Sequence, residues 1–517
     1  MNNTPQPPSK SRRNWRRTLI VLAWVVTLVA LLYGLENWRG HRAWSKYRKQ
    51  LEARGEVLNL RLLIPKPVPD EQNFAATPFV KTWFPKWEDD WATNFNRAQG
   101  LVARTDTDKA ERKAKRNFVD LVAWEMAFAE IQSGAAPDPS KKFTSGKLDL
   151  ASRAKAAPAV LAGFQESEPA LAELRAASQR PHAVYPVVYD LENPWAILLP
   201  HLGRIKGICQ RLQFKACAEL AAGQSDQALQ DVRLMHYMAD SITNEPLLIS
   251  YLVRLACLQL STQPVWEGLA DHRWTDAQLQ ELQARFAKIN TFADMKLPIE
   301  GERAFGAMTP QLVQKKGLGL LDDLTKYDPN ISSPSFINFI GRLVPNGWYE
   351  MEMLNYCTLF EMQLTDVTDA ASKRVYPAKA TAASRELERI IGGGRLGRSL
   401  SGILNHRVIA GLMLPALGNV SKKAANGQVA MDHAMLACAL ERHRLVHREF
   451  PANLDALVPQ FISEVPHDVI TGEPYKYRRT DDGKFILSSV GWDEADDNGV
   501  SGRTLFDDEN GDWVWQY

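Results

Sequence analysis

Eighteen residues, Thr18 to Leu35 (TLIVLAWVVTLVALLYGL), carry no charge, and they constrain this chain more than any other stretch. At about 1.5 Å of rise per residue, such a run makes a helix about 27 Å long, close to the ~30 Å hydrocarbon core of a bilayer. Trp15 and Trp38 lie just outside it, and Trp24 and Tyr33 within it. Aromatic residues at both ends are the usual interface anchors. A cleaved signal peptide would have a shorter apolar core, followed by small residues at the cleavage site. Here Leu35-Glu36-Asn37-Trp38-Arg39 follows. We read 18–35 as an uncleaved transmembrane helix in contact with the lipid bilayer.

Positive charge alone does not orient that helix. Lys10, Arg12, Arg13, Arg16 and Arg17 precede it, while Arg39, Arg42, Lys46, Arg48 and Lys49 follow it. The nearest flanks differ, because Arg16 and Arg17 abut one end and Glu36 the other. The positive-inside rule then places residues 1–17 in the cytoplasm. The body is expected outside the inner (cytoplasmic) membrane, in the periplasm of a Gram-negative cell.

The rest is a water-soluble sequence on a short leash. With 517 residues, 45 % of them apolar, it can bury a sizeable core. A net charge of +2 gives no reason to expect nucleic acid as a partner. The five cysteines, at 209, 217, 257, 357 and 438, form no CxxC pair, which argues against metal knuckles and thioredoxin chemistry. Cys209 and Cys217 stand roughly 12 Å apart if they share a helix, too far to bridge. Buried apolar thiols are the simplest reading. One disulfide across the fold stays open for an exported body.

Local signals divide the chain further. Residues 36–55 read as a helical stalk leaving the membrane. The alternating prolines of Pro65-Lys66-Pro67-Val68-Pro69 then favour an extended strap, so 36–69 is stalk and strap. Trp83, Trp87 and Trp91 recur every four residues, either as an aromatic platform or as a segment docked on the core. The expected helical body spans 70–427. It has helices over 107–132, ending at Ser133-Gly134, and from Ser167-Glu168-Pro169 to before Pro181. It also has two helices across 205–240 joined near Gly223, and one opened by the capping box Thr275-Asp276-Ala277-Gln278. Ala218, Gly223 and Ala228 faintly resemble a tetratricopeptide helix pair, without a repeat. Residues 291–346, rich in Pro, Gly, Ser and Asn, suit loops between short helices, and 347–390 returns to helix. Gly392, Gly394 and Gly397 spell GxGxxG, but a helical sequence precedes them where a dinucleotide site needs a strand. Helices resume over 398–448, with a break near Pro415.

The last segment, 428–517, is expected to be an α+β module. An amphipathic helix over 428–448 leads to Phe450-Pro451-Ala452-Asn453-Leu454-Asp455-Ala456-Leu457, where Asn453 can cap a short helix. Pro466, Asp468, Gly472, Pro474, Tyr475 and Tyr477 follow, and Asp482-Gly483 makes a hairpin turn before the strand Phe485–Gly491. In order and spacing these residues resemble the C-terminal part of the major pseudopilins of type II secretion. The likeness covers about 70 residues. The whole chain also looks like large uncharacterised membrane-anchored proteins of planctomycete and verrucomicrobial type that carry this tail. It departs from a pseudopilin in lacking the processing site and the glutamate at the start of the apolar helix. It is therefore not expected to be processed or polymerised as a pilin.

The resemblance also raises calcium, which pseudopilins bind in the loop after the last strand. Asp493, Asp496, Asp497 and Asn498 lie close together, and hard oxygen ligands suit Ca²⁺. Their spacing is not that of an EF-hand, and a solvated acidic tail is the competing reading. Trp492, Trp513 and Trp515 argue that this end packs onto something. Other chemistry is thin. His443 and His447 are one helical turn apart, but beside Arg442, Arg444 and Arg448 they read as an exposed basic face. Asp89/Asp90 and Asp322/Asp323 read as ordinary surface acids. No GxSxG elbow, phosphate loop or kinase set occurs.

These observations predict a mainly α protein with an N-terminal transmembrane helix, an irregular multi-helix body and a small C-terminal module with a β-hairpin. The expected role is non-catalytic binding or assembly with envelope or secretion proteins. The alternatives are an envelope hydrolase whose acids converge only in three dimensions, and a repeat-type scaffold.

Overall fold

The computed structural model describes residues 10–84, 93–102, 115–134, 140–145, 149–317, 344–392, 402–507 and 509–517. These residues are mainly helical, as the sequence predicts. Helix α1 (Lys10–Ala53) is unbroken over 44 residues and carries the apolar run and the expected stalk in one rod. The strap follows; Pro69 itself has extended backbone (φ −56°, ψ 141°). Next come α2 (Thr93–Leu101), α3 (Leu121–Gln132), α4 (Leu150–Ala162), α5 (Glu168–Ala177) and α6 (Pro200–Ala221). The series continues with α7 (Ser225–Asp240), α8 (Leu248–Ala270), α9 (Asp276–Ala287), α10 (Lys296–Lys316), α11 (Asn346–Leu364), α12 (Pro377–Ile391) and α13 (Val420–His447). The chain closes on strands β1 (Lys476–Arg479), β2 (Phe485–Ser489) and β3 (Trp513–Gln516).

Two compact units result. The first comprises residues 1–59, 303–362 and 385–416, and the second 60–302, 363–384 and 417–517. In the second unit α6, α7 and α8 pack on one another, and α13 packs against α8 and α9. An aromatic cluster of Phe95, Trp124, Phe128 and Phe164 fills the space among α2, α3 and α4. The capping box at Thr275 forms as expected, with Thr275 and Gln278 satisfying each other's backbone amides. Asp120 and Asp149 cap α3 and α4 in the simpler way, through one side-chain oxygen.

The C-terminal sheet is antiparallel in the order β1-β2-β3. Its first hairpin turns at Asp482-Gly483, where Gly483 takes φ +76°. Asn453 caps the 454–457 turn through the Ala456 amide. The third strand is new. Trp513 and Trp515 are fully buried and pair Trp513 with Ser489 and Trp515 with Leu487, so the tryptophans of the tail pack as strand residues.

Several expectations need correction. Residues 428–448 are not half-exposed: every residue from Gly427 to Glu441 is buried. Helices α8 and α9, the 374–375 strand, the 454–457 turn and β2 all pack on α13, which leaves its 427–441 stretch no solvent face. Several of its polar residues are paired instead. Gln428 accepts from the Thr291 amide (2.9 Å) and donates to Asp432 (2.9 Å), which in turn accepts from the Tyr475 hydroxyl (2.9 Å). Of the 291–346 region, 318–343 lies outside the described residues; in its first part α10 runs through Gly301, Gly306 and Pro310 as one helix of 21 residues. Gly301 lies against the Pro246 carbonyl and Gly306 against the Tyr356 ring, so these glycines serve close packing and do not break the helix. The 347–390 helix is interrupted by a two-residue ladder, Thr368–Asp369 with Arg374–Val375. Asp369 folds that turn by accepting the amides of Ala371 and Ser372. Finally, 115–120 is not helical, and α3 begins only after Asp120. Trp87, Trp91, Asp89/Asp90, Gly394, Gly397 and Asp322/Asp323 lie outside the described residues.

Candidate functional site

Among the described residues α1 is the one helix long and apolar enough to cross a membrane, and none of its apolar window is buried. Its apolar side chains are therefore left without protein cover from Leu19 to Leu35. Immediately beyond, the same helix is clamped into the first unit. Asn37 Oδ1 accepts from the Gly347 amide (2.9 Å), His41 pairs with Glu350 (3.1 Å), and Arg54 with Glu361 (3.5 Å). These three pairs rise together in residue number, so α1 and α11 run side by side in the same direction. They meet backbone to backbone at two glycines. A Cβ on Gly40 would lie 2.5 Å from Gly347 Cα, and one on Gly347 would lie 2.6 Å from Asn37 Cα.

Charged groups close the clamp. His406 Nε2 pairs with Glu36 (2.7 Å), and burial holds its pKa below the usual histidine value although Glu36 pulls the other way. Arg303 pairs with Glu56. Glu352 is fully buried and accepts the amides of Val408 (2.8 Å) and Ile409 (3.0 Å), the opening residues of the 408–413 helix. Burial pushes its carboxyl up to about 7. The arrangement does mechanical work: it fixes the apolar run rigidly to a folded unit.

Buried charges also cluster in the second unit, where a hydrolase would need them. On α5, α6 and α7, Arg175 and Lys215 sit among Glu168, Glu219 and Asp231. Burial, and then the neighbouring Asp231 charge, push Glu219 up to about 8. Elsewhere Arg153 pairs with Glu267, which also accepts from the Val119 amide (2.7 Å) and Gln263 (3.0 Å). Two Ser–His groupings, one with an acid, have the wrong chemistry for nucleophilic catalysis. In the first, Glu245 sits between His201 (2.7 Å) and the Ser250 hydroxyl, so the imidazole never meets the hydroxyl it would have to deprotonate. In the second, His236 does meet Ser261 (2.9 Å), but Ser261 gives its proton to the Leu258 carbonyl (2.7 Å). His236 must then donate through Nε2, and burial pushes its pKa down to about 3. Both groups are buried.

The acidic loop between β2 and β3 is held by its own carboxylates. Asp493 accepts from the amides of Ala495 (3.1 Å) and Gly511 (3.2 Å). Asp496 accepts from the Asn498 amide (3.0 Å) and pairs with Lys476 (3.3 Å). Asp512 is buried and accepts from the amides of Asp497 (3.0 Å) and Gly499 (2.6 Å), while Asp507 collects those of Arg503, Glu509 and Asn510. Asp497 and Asn498 are exposed. No group of three or more His, Cys, Asp or Glu side chains is arranged to hold a metal ion among the described residues. Of the donor set Asp493, Asp496, Asp497 and Asn498, the first two already accept loop amides and the last two are exposed. Asp507 and Asp512 were not singled out by spacing.

The histidine pair is half internal, with His447 exposed. His443 and His447 rings are 4.3 Å apart, but His443 is buried and pairs with the Glu449 carbonyl (3.0 Å). The expected exposed basic face is partly consumed, because Arg442 pairs with Asp276 (2.8 Å) and Gln283 (3.1 Å), and Arg444 with Glu441. All five cysteines are buried and free. Trp83 is buried and stacks on Tyr185 at 6.3 Å, so at that position the aromatic segment is docked and forms no open platform.

No known protein family, no curated protein and no solved structure matches this chain.

Proposed function

We propose that this chain is a single-pass envelope protein with its N-terminus in the cytoplasm and its body in the periplasm, serving in binding or assembly. The observation that carries the reading is the continuity of α1. A fully uncovered apolar run passes without a break into a helix locked by Gly40, Gly347 and Glu36. Leaving that run in water would cost about 25 cal/mol for each Å² of apolar surface, so it calls for a bilayer. The segment from α13 to β3 supports the pseudopilin-like part of the reading, since a long helix, a capped turn and an antiparallel sheet with an acidic loop follow in that order. Partners would be envelope or secretion proteins.

The test has two parts. Alkaline carbonate should leave the protein in the membrane fraction, and a reporter fused after Tyr517 should be active only in the periplasm. Release by carbonate would overturn the anchor, and cytoplasmic activity the orientation. A pull-down of the solubilised protein, with and without chelator, then reads for envelope partners; a partnerless protein counts against the assembly role. One observation favours a second reading, that of a hydrolase: Glu219 and Asp231 converge on Lys215, and burial and the Asp231 charge raise the Glu219 carboxyl while Lys215 opposes them, a grouping of the kind acid–base chemistry uses. Under that reading Glu219→Gln would abolish a hydrolytic activity of the purified body while its circular dichroism still shows the native helix content.

A further inference from the structure

We propose that the helical end at 402–404 of the first unit, just before the 405–406 turn, seats its apolar residues in the headgroup–acyl boundary of the same bilayer that α1 crosses. This rests on the reading of α1 as a transmembrane helix.

Ile403 and Leu404 are held level with the end of the apolar run on α1. The uncharged run ends at Leu35. Gly347 is bonded to Asn37, two residues further on, which is about 3 Å of helix rise. His406 is bonded to Glu36, one residue beyond the run. The loop between is fixed to the same place. Trp348 Nε1 donates to the Ile403 carbonyl (3.0 Å), and Asn355 donates to the carbonyls of Asn405 (2.9 Å) and His406 (2.8 Å). The interfacial layer of each leaflet is about 5–8 Å deep. A helix end pinned to Glu36 and Trp348 therefore falls inside it when 18–35 fills the hydrocarbon.

The side chains suit that layer. Ile403 is 56 % exposed and Leu404 72 % exposed, two adjacent large aliphatic residues facing away from the unit that holds their backbone. Trp38, 61 % exposed, lies at the same level on α1, and the Trp348 ring sits 5.7 Å from His406. Indole rings favour the membrane interface because one edge is polar and the rest apolar. Apolar residues shallowly inserted beside a transmembrane helix add a second point of attachment. The span would then be held against rotation about its axis, which a single helix cannot do alone.

Nitroxide labelling of the full chain in phospholipid vesicles tests this. The five native cysteines are buried and free, so a mild label reports the introduced site. Three single variants are compared: Val25→Cys inside the run, Leu404→Cys, and Arg48→Cys. Arg48 lies about 20 Å further along α1 than Leu35. Oxygen partitions into lipid and a charged nickel chelate stays in water, so the ratio of their collision rates reports depth. The expected result is a ratio at Leu404→Cys shifted clearly above that of Arg48→Cys and toward that of Val25→Cys. If Val25→Cys is lipid-exposed but Leu404→Cys matches Arg48→Cys, the seating is wrong while the span stands. If Val25→Cys is itself in water, the span fails and the seating with it. As a second measure, Leu404→Asn should lower lipid contact at a label on Ile403→Cys and leave carbonate-resistant anchoring intact.

Discussion

Gly347→Ala isolates the contact that couples the apolar run to the first unit. In an ordinary helix interior this change is favourable by about 1 kcal/mol, because alanine is the better helix former. Here the new methyl would fall 2.6 Å from Asn37 Cα and would also overlap the Glu36 carbonyl. Both obstacles are backbone and cannot rotate away, so α1 and α11 must separate. Overpacking of this kind costs about 1–3 kcal/mol. Separation also stretches the Asn37–Gly347 bond (2.9 Å), a loss of about 1 kcal/mol. The balance is a net destabilisation of about 1–3 kcal/mol. Thermal unfolding of the detergent-solubilised protein, followed by tryptophan fluorescence, should show a lower transition for the first unit. Gly34→Ala is the control, since nothing lies within 4 Å of its added Cβ, and it should be neutral or slightly stabilising. Gly40→Ala should behave like Gly347→Ala. A Gly347→Ala protein that melts as high as Gly34→Ala would refute the backbone-to-backbone packing.

Other variants probe the buried polar groups. Glu352 has a folded pKa of about 7 because burial penalises its charge; unfolded, it ionises at about 4.3. Its ionisation therefore costs nothing below that value and costs most above pH 7, where the penalty is up to about 4 kcal/mol. Wild type should lose stability as pH rises from about 4 to about 7, and Glu352→Gln should lose less, as read from melting temperatures across that range. Arg153→Met would strand the Glu267 carboxylate, fully buried, at about 3–5 kcal/mol, and Arg153→Met with Glu267→Met should recover most of that; denaturant unfolding of both variants checks the pair. Asp512→Ala removes the acceptor of two loop amides and should cost about 2–4 kcal/mol, seen as a lower melting temperature. Millimolar Ca²⁺ or chelator should leave the melting temperature of wild type unchanged, since the loop carboxylates are taken by amides; a rise with calcium would show that the donors rearrange around the ion.

The parts of this fold that were legible in the sequence are those decided within a few residues. Thr18–Leu35, the capping box at Thr275 and the Asp482-Gly483 hairpin each carry their own physical cause: the first is one unbroken apolar helix, and the other two form as read. The misreadings share one origin, which is packing across long chain separations. Gly301 and Gly306 look like helix breakers until Pro246 and Tyr356 are brought against them. The helix at 420–447 looks amphipathic because Gln428, Asp432, His433, Glu441 and His443 punctuate it, yet all five are buried. Tyr475, Thr291 and His272 supply partners to three of them, Asp432, Gln428 and Glu441. The acidic tail repeats the lesson. Spacing singled out Asp493 and Asp496 as ligands, but the amides of Ala495, Gly511 and Asn498 compete for the same oxygens. A loop with many glycines and turns has many amides to satisfy, and a carboxylate is the strongest acceptor at hand. An acid-rich, glycine-rich run therefore carries two readings of equal local merit, and only the positions of the backbone amides separate them.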